Sequence, residues 1–268
     1  MEETKNFGPE ASEQTMAATP PPDSPKNAGT PEVSILKTLK ESSGGVNSPF
    51  RELSEGDVVD GYTVLALIGK GGMGKVYKVT EELTGKVAAL KTITIDESMS
   101  ESDQEAWIAR FTNEVQIMWR LFDQKVPYVP TIFHMPKNPL GIIMELLSGV
   151  ELEEWLQTRD PSEAANAGRL IALLAQVSHS LARAHTMGIV HRDLKPANIV
   201  IQNPDAPLSE PLKPILVDFG IAKNSERELT TDYTMMGTPS YMSPEQLRRA
   251  RNVDKRSDIW SLGEILHE

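Results

Sequence analysis

The chain of 268 residues can form one large domain or two medium ones, and its 39% hydrophobic and 24% charged residues are ordinary for a globular protein. Its formal net charge of −11 argues against nucleic-acid binding, which needs a basic surface. Because it has no cysteine, disulfides, thiolate catalysis and cysteine-ligated zinc are excluded, and a cytoplasmic location is expected. No signal-peptide pattern and no run of about 18 apolar residues occurs, so we predict no membrane segment in this chain.

The chain divides into a tail and one domain. Residues 1–55 form an acidic segment rich in Pro, Ser and Thr, and such a composition predicts disorder. Within it, residues 33–40 are compatible with a short amphipathic docking or autoregulatory helix, but a plain linker is the simpler interpretation. Residues 56–268 carry the strand and helix patterns of a folded domain.

A glycine-rich turn lies between the first predicted strands. Residues 61–68 alternate as a strand and lead into residues 69–74, four of which are glycine. Backbone N–H groups in such a turn can approach phosphate oxygens, although a glycine-rich hairpin alone is weak evidence of a site. The next strand, residues 86–93, places Val87, Ala89 and Lys91 on one face.

A helix predicted over residues 105 to about 121 has Ile108, Phe111, Val115 and Met118 at helical spacing. Glu114 lies on or beside this apolar face. A carboxylate buried there needs a partner, and Lys91 on the preceding strand is the natural one. The alternative is a solvated glutamate on the helix surface.

We predict that the second half of the domain is mainly helical. Residues 140–147 form a strand buried on both faces, residues 152–156 a short helix, and residues 166–187 a long helix capped by Gly188. His179 and His185 lie six residues apart on different faces of that helix, which argues against a shared metal ion. The helix pattern that starts near residue 257 is still running at Glu268, and we expect Trp260 and Ile265 to be exposed.

The segment from His191 to Val200 concentrates the groups that phosphoryl transfer needs. Asp193 can accept the proton of a hydroxyl, Lys195 can place a positive charge beside a phosphoryl group, and the Asn198 amide oxygen can bind Mg²⁺. Asp218 ends an apolar strand and offers a second ligand oxygen for Mg²⁺. In isolation, Asp218 before Gly220 would be read as an ordinary turn.

In this order, these segments resemble the protein-kinase family. The resemblance rests on residues 69–79, Lys91, Glu114, residues 191–200, the triplet Asp218-Phe219-Gly220, residues 234–245 ending in Ser243-Pro244-Glu245, and residues 257–263. A lysine at the position of Lys195 resembles the serine/threonine branch of the family. The glycine-rich turn has a form that is common in the bacterial, eukaryotic-like members. The resemblance implies an α+β bilobal fold. A small antiparallel sheet with one helix would form the N-lobe at about 56–145, and an incomplete, mainly helical C-lobe would follow at about 149–268.

The resemblance also implies ATP and Mg²⁺, with Mn²⁺ possible, bound between the lobes. Asp193, Lys195, Lys91 and Glu114 would be catalytic, and Asn198 and Asp218 would hold the metal. Met144 would take the gatekeeper position, and the backbone of Glu145 and Leu147 would bind adenine. The implied ATP-contacting set is Ile68, Gly69, Lys70, Gly71, Gly72, Met73, Gly74, Val76, Ala89, Lys91, Met144, Glu145, Leu147, Glu151 and Val200, where Glu151, near the ribose, is equally readable as a solvated side chain.

The remaining implied roles concern activation. A phosphate on Thr234, or next on Thr231 or Thr230, would satisfy Arg192. Thr238 would bond Asp193 and Lys195. Asp258 would hold the backbone of residues 191–200, called the catalytic segment, and Glu245 would pair with an arginine of a later helix.

We therefore expect a kinase that transfers the ATP γ-phosphoryl group to Ser or Thr of proteins, with autophosphorylation and self-association in trans. The alternative is a non-catalytic kinase-like scaffold, made so by truncation of the C-lobe. A small-molecule phosphotransferase is disfavoured because it does not need Lys195 or residues 237–245. A membrane anchor beyond Glu268 is compatible with this sequence.

Overall fold

The computed structural model describes residues 50–71, 74–96, 98–158, 164–219, 239–248 and 253–267. The possible helix at residues 33–40 lies outside these ranges. Phe50 is the first residue that the structure describes, and Leu53 is only 8% exposed. Residues 50–53, which were predicted to belong to the tail, thus pack onto the domain.

The N-lobe is a six-stranded antiparallel sheet with one helix, as predicted. Its strands lie in the order β1-β2-β3-β4-β6-β5. Their bounds are β1 Val58–Val59, β2 Tyr62–Lys70, β3 Gly74–Glu81, β4 Val87–Ile93, β5 Ile132–His134 and β6 Gly141–Glu145. The helix α1, Glu101–Asp123, lies between β4 and β5 in the chain.

Helix α1 begins four residues before its predicted start. Ser100 is its N-cap, and the Ser100 hydroxyl accepts a hydrogen bond from the backbone N–H of Asp103. This bond satisfies one of the N–H groups that a helix start leaves without a partner. The buried side of α1 includes Ile108, Phe111, Met118 and also Glu114.

The C-lobe combines helices with a small sheet. Its helices are α2 Leu152–Thr158, α3 Ala164–Thr186, α4 Pro244–Leu247 and α5 Arg256–His267. Strands β7 Val150–Glu151, β8 Ile199–Ile201 and β9 Pro214–Leu216 form a three-stranded antiparallel sheet in that order. A short 3-10 turn, Pro196–Asn198, leads into β8.

One apolar cluster joins the elements of the C-lobe. The stripe predicted on α3 is buried in it: Leu170, Leu173, Leu174, Val177, Leu181 and Ala184. Gly188, with a φ of 73°, follows the end of α3, where glycine adopts the left-handed conformation without strain. Ile265 of α5 is fully buried in the same cluster, so the expectation of an exposed Ile265 was wrong, whereas Trp260 is 44% exposed. The sequence pattern could not tell which face of α5 meets α3.

Among the described residues, no helix has the length and apolar character needed to cross a membrane.

Candidate active site

An ion pair connects β4 to α1 at the centre of the site. The Lys91 ammonium nitrogen lies 2.5 Å from Glu114 Oε1 and 3.1 Å from Asp218 Oδ1. Lys91 comes from the middle of β4, Glu114 from the buried side of α1, and Asp218 follows β9 in the C-lobe. The ammonium thus connects both lobes, and it gives the buried Glu114 the partner that a desolvated carboxylate requires.

The charge of Lys91 is secured by its two partners. Burial of its ammonium works against the charge, but Asp218 and Glu114 outweigh this effect, and the pKa of Lys91 is raised above its ordinary value. Lys91 therefore keeps a full positive charge at neutral pH. A positive charge that is fixed in position by Glu114 and Asp218 is suited to bind an anionic phosphate group.

The glycine-rich turn connects β2 to β3. Its described ends are joined by a hydrogen bond of 2.9 Å from the Gly71 N–H to the Gly74 carbonyl. Gly69 and Lys70 end β2, directly after the exposed Ile68, while Val76 lies opposite Lys91 across β3 and β4. The turn therefore lies at the same end of the sheet as the ammonium of Lys91.

Gly74 is required by the sheet itself. A Cβ atom built at Gly74 would lie 1.8 Å from the carbonyl oxygen of Thr92 on β4, whereas one at Gly71 would meet no atom within 4 Å. The sequence suggested a glycine that gives room to phosphates. At Gly74, the space that a side chain would need is occupied by the backbone of β4.

Gly74→Ala is therefore expected to lower the free energy of unfolding by about 1–3 kcal/mol, the range for overpacking a well-packed site. Denaturant unfolding of this variant beside the matched Gly71→Ala measures it. We expect Gly71→Ala to stay within about 0.5 kcal/mol of the parent chain. Equal stability of the two variants would contradict the structural role of Gly74.

The residues predicted to contact adenine are distributed over two sheets. Ala89 of β4 lies directly opposite Met144 of β6, and Glu145 lies opposite Ala88. Leu147 follows β6, and in the second sheet Glu151 lies opposite Val200. Each sheet thus pairs predicted contact residues that are far apart in the chain.

Gln202 was missed by sequence reasoning. Its side-chain amide donates to Glu145 Oε1 at 3.0 Å, and the backbone N–H of Thr131 donates to the other oxygen at 3.4 Å. The Glu145 side chain is therefore engaged by Gln202 and Thr131, whereas its backbone is the part predicted to bind adenine. Nothing local in the sequence marks this long-range contact.

The catalytic segment carries a compact polar cluster. The ammonium of Lys195 lies 3.4 Å from Asp193 Oδ2, and the amide nitrogen of Asn198 donates to the Asp193 carbonyl at 2.7 Å and to Oδ2 at 3.3 Å. These contacts fix the direction of the Asp193 carboxylate. Its side chain is one quarter exposed, so a hydroxyl group can reach it.

Asp258 holds the start of this segment from α5. It is fully buried, and its two oxygens accept hydrogen bonds from the backbone N–H groups of His191 (2.9 Å) and Arg192 (2.8 Å). A ring nitrogen of His185 lies 2.7 Å from Asp258 Oδ2. His185 is therefore a structural partner of Asp258, a role that the sequence did not indicate.

Arg192 is held in a conformation that its backbone does not favour. Its φ is 64°, in the left-handed region, where a residue with a side chain is strained. Partial burial lowers the pKa of the Arg192 guanidinium, while Asp258 works in the opposite direction. Its buried Nε has no hydrogen-bond partner among the described residues. An anion arriving here would supply that partner.

Gln246 of α4 is a second residue that the sequence analysis missed. Its amide donates to the carbonyl of Arg192 at 2.7 Å, and it also forms a capping box with Ser243 at the start of α4. The spacing Ser-x-x-Gln was a visible signal of that box. The same element places Glu245, whose Oε1 accepts from the Ser257 hydroxyl at 2.9 Å. Its own backbone N–H and this hydroxyl lower the pKa of Glu245.

The donor atoms of Asn198 and Asp218 fit a divalent metal ion. Asp218 provides a carboxylate that is 61% exposed, and Asn198 uses its nitrogen toward Asp193, so its oxygen is the atom suited to a cation. Within the described ranges, no group of three or more His, Asp or Glu side chains is placed to hold a metal. A metal held here would therefore need further oxygen ligands, such as phosphates.

Parts of the predicted motifs lie outside the described residues: Gly72, Met73, Gly220, Thr230, Thr231 and residues 234–238, which include Thr234 and Thr238. Their predicted roles stay predictions.

The family is decided by comparison with known proteins. The model of the protein kinase domain matches residues 62–268. The chain belongs to the protein kinase family. The kinase domain is 36% identical over 212 residues to the serine/threonine-protein kinase pkn3 of Myxococcus xanthus, covering 77% of this chain and 37% of that protein. It is 34% identical over 223 residues to the DNA damage-responsive serine/threonine-protein kinase RqkA of Deinococcus radiodurans, covering 80% and 30%.

Solved structures agree with this assignment. The crystal structure of the PknI kinase domain of Mycobacterium tuberculosis matches with a TM-score of 0.56 and 28% identity, covering 81% of this chain and 76% of that one. The predicted kinase-like bilobal fold is thus confirmed, and so is the resemblance to bacterial serine/threonine kinases. The chain spans about a third of the length of the bacterial relatives that it matches.

Proposed function

We propose that this kinase domain transfers the γ-phosphoryl group of ATP to serine or threonine hydroxyls of proteins. The observation that carries the proposal is the Lys91 ammonium, which joins Glu114 of the N-lobe and Asp218 of the C-lobe within 3.1 Å. Protein kinases need this lysine–glutamate pair and this aspartate together for phosphoryl transfer. No observation in the described residues favours a non-catalytic scaffold.

The reaction forms a bond between the substrate oxygen and the γ-phosphorus, and it breaks the bond from that phosphorus to the oxygen of the leaving ADP. Asp193 accepts the hydroxyl proton, in an orientation fixed by Asn198 and Lys195. Lys91 would hold the α- and β-phosphates, and Lys195 would face the transferring group. Mg²⁺, or Mn²⁺ in its place, held by Asp218 and Asn198 would neutralise phosphate charge.

The adenine would lie between Ala89, Met144 and Val200, with the backbone of Glu145 and Leu147 as its hydrogen-bonding edge. Ile68, Val76 and the glycine-rich turn would cover it from the N-lobe side. Glu151, which is exposed on β7, would contact the ribose. The support is the register that sets Ala89 opposite Met144 and Val200 opposite Glu151.

Activation would proceed through a phosphate on Thr234, or on Thr231 or Thr230. Arg192 would bind this phosphate, because its buried Nε has no hydrogen-bond partner among the described residues. Thr238 would bond Asp193 and Lys195. We infer that one copy phosphorylates another, which needs only transient self-association. Because ATP is a cytoplasmic metabolite, we place the kinase domain in the cytoplasm.

The test is incubation with γ-labelled ATP, Mg²⁺ and a generic protein substrate, beside Asp193→Ala. We expect Asp193→Ala to lower labelling by at least about a hundredfold, the size typical of general-base loss. The matched control is Asp123→Ala, which removes an exposed carboxylate at the end of α1. This variant should be labelled like the parent chain. Equal labelling by Asp193→Ala and the parent chain would refute the proposed function.

Mapping of the labelled chain tests the activation step. Label within residues 230–234 is expected, and its absence from a chain that labels its substrate would refute the phosphosite.

A further inference from the structure

The first described residues form a short segment that contacts the elements of the active site. Residues 50–53, called the entry segment here, precede β1. Phe50 packs against a buried cluster formed by Ile93, Ile108 and Phe111. These residues were predicted to belong to a disordered tail, so no role was predicted for them.

That cluster joins the two elements that carry the central ion pair. Ile93 lies on β4 two residues after Lys91, and Ile108 and Phe111 lie on α1 six and three residues before Glu114. The indole N–H of Trp107 also donates to the Thr94 carbonyl, at 3.1 Å, and so ties α1 to the end of β4. Any shift of α1 relative to β4 would separate Lys91 from Glu114, and it would first have to repack this cluster.

The rest of the entry segment contacts β3 and the residue before β1. Glu52 forms an ion pair with Lys75, the residue directly after Gly74 of the glycine-rich turn. The backbone N–H of Leu53 donates to the hydroxyl of Tyr77 at 3.3 Å, and Leu53 is buried in the sheet core. Arg51 pairs with Asp57 at 3.2 Å. Phe50 therefore contacts α1 from a segment whose next residues are bound to the sheet.

We propose that Phe50 is a positioning residue that keeps α1 against β4 and thereby holds Glu114 on Lys91. The proposal rests on the proposed function and adds a control point outside the family motifs. Phe50 touches neither reacting group. Phe50 lies on neither element and packs against the cluster that joins them, so its removal would weaken the contact between α1 and β4 without unfolding the sheet.

The test is a double-mutant cycle in the 268-residue chain. Phe50→Ala is combined with Glu114→Gln, and Leu83→Ala, whose side chain is 94% exposed in the same lobe, is the control. We expect Phe50→Ala to lower kcat/KM by about tenfold in the parent chain but by less than about twofold in the Glu114→Gln chain, since the two residues act through one geometry. Phe50→Leu, which keeps much of the apolar volume, should restore most of the activity. Equal losses in both backgrounds would overturn the proposal, because a general loss of stability does not depend on Glu114.

A readout that needs no activity separates this inference from the proposed function. Hydrogen exchange of backbone amides along α1 should become faster in Phe50→Ala, while exchange in α3 should stay unchanged. Unchanged exchange in α1 would overturn the positioning role even if the parent chain is an active kinase. A parent chain without turnover would instead refute the proposed function, and faster exchange in α1 would still support the placement of α1 by Phe50.

Discussion

Replacing Lys91 by methionine is expected to lower kcat/KM for ATP by about 10²–10³-fold, the loss typical of removing one preorganised electrostatic group from an active site. Methionine keeps most of the length of the side chain but removes the charge. The variant loses the cation that faces the phosphates, and it leaves Glu114 and Asp218 without the ammonium that joins them. Steady-state kinetics with varied ATP measure the effect.

The matched control is Lys137→Met, which removes an exposed lysine from the connection between β5 and β6. It should keep kcat/KM within about twofold of the parent chain, because isolated surface charges contribute little. Thermal unfolding of both variants shows whether the Lys91 variant is folded. A folded Lys91→Met chain with parental kcat/KM would contradict the central role of the ion pair.

Asp258→Asn is expected to lower kcat by about a hundredfold, the effect of moving catalytic groups by about an ångström. The two Asp258 oxygens accept from His191 N–H, Arg192 N–H and the His185 ring. An asparagine must direct its NH₂ group at one of these donors, so a buried donor loses its acceptor. The free energy of unfolding should fall by about 1–3 kcal/mol for the same reason.

Asp123→Asn serves as the control and should change stability by less than about 0.5 kcal/mol, since its side chain is exposed. Denaturant unfolding and kcat are measured on both variants. If Asp258→Asn lost stability with no change in kcat, Asp258 would support the fold without positioning the catalytic segment.

The local elements could be predicted because their signals are local. The alternation in β2 and β4, the apolar stripe of α3 and the turn at Gly188 depend on residues a few positions apart, and the structure has these elements within a few residues of the predicted bounds. The start of α1 was placed too late because the cap at Ser100 was overlooked. The packing of residues 50–53 on the domain was not predicted, because composition describes a segment as a whole and does not show that Leu53 is buried.

The sequence by itself determined the chemical groups of the site and their order along the chain, from the glycine-rich turn through Lys91 and Glu114 to Asp193, Asn198 and Asp218. Only the tertiary structure decided which groups meet, such as Lys91 with Asp218 across 127 residues and Gln246 with the Arg192 carbonyl. It also decided that Gly74 gives room to β4 and that Phe50 packs beside α1. The physical reason is that residue spacing defines the faces of one helix or strand, whereas the partner of each face is selected by packing of the whole chain.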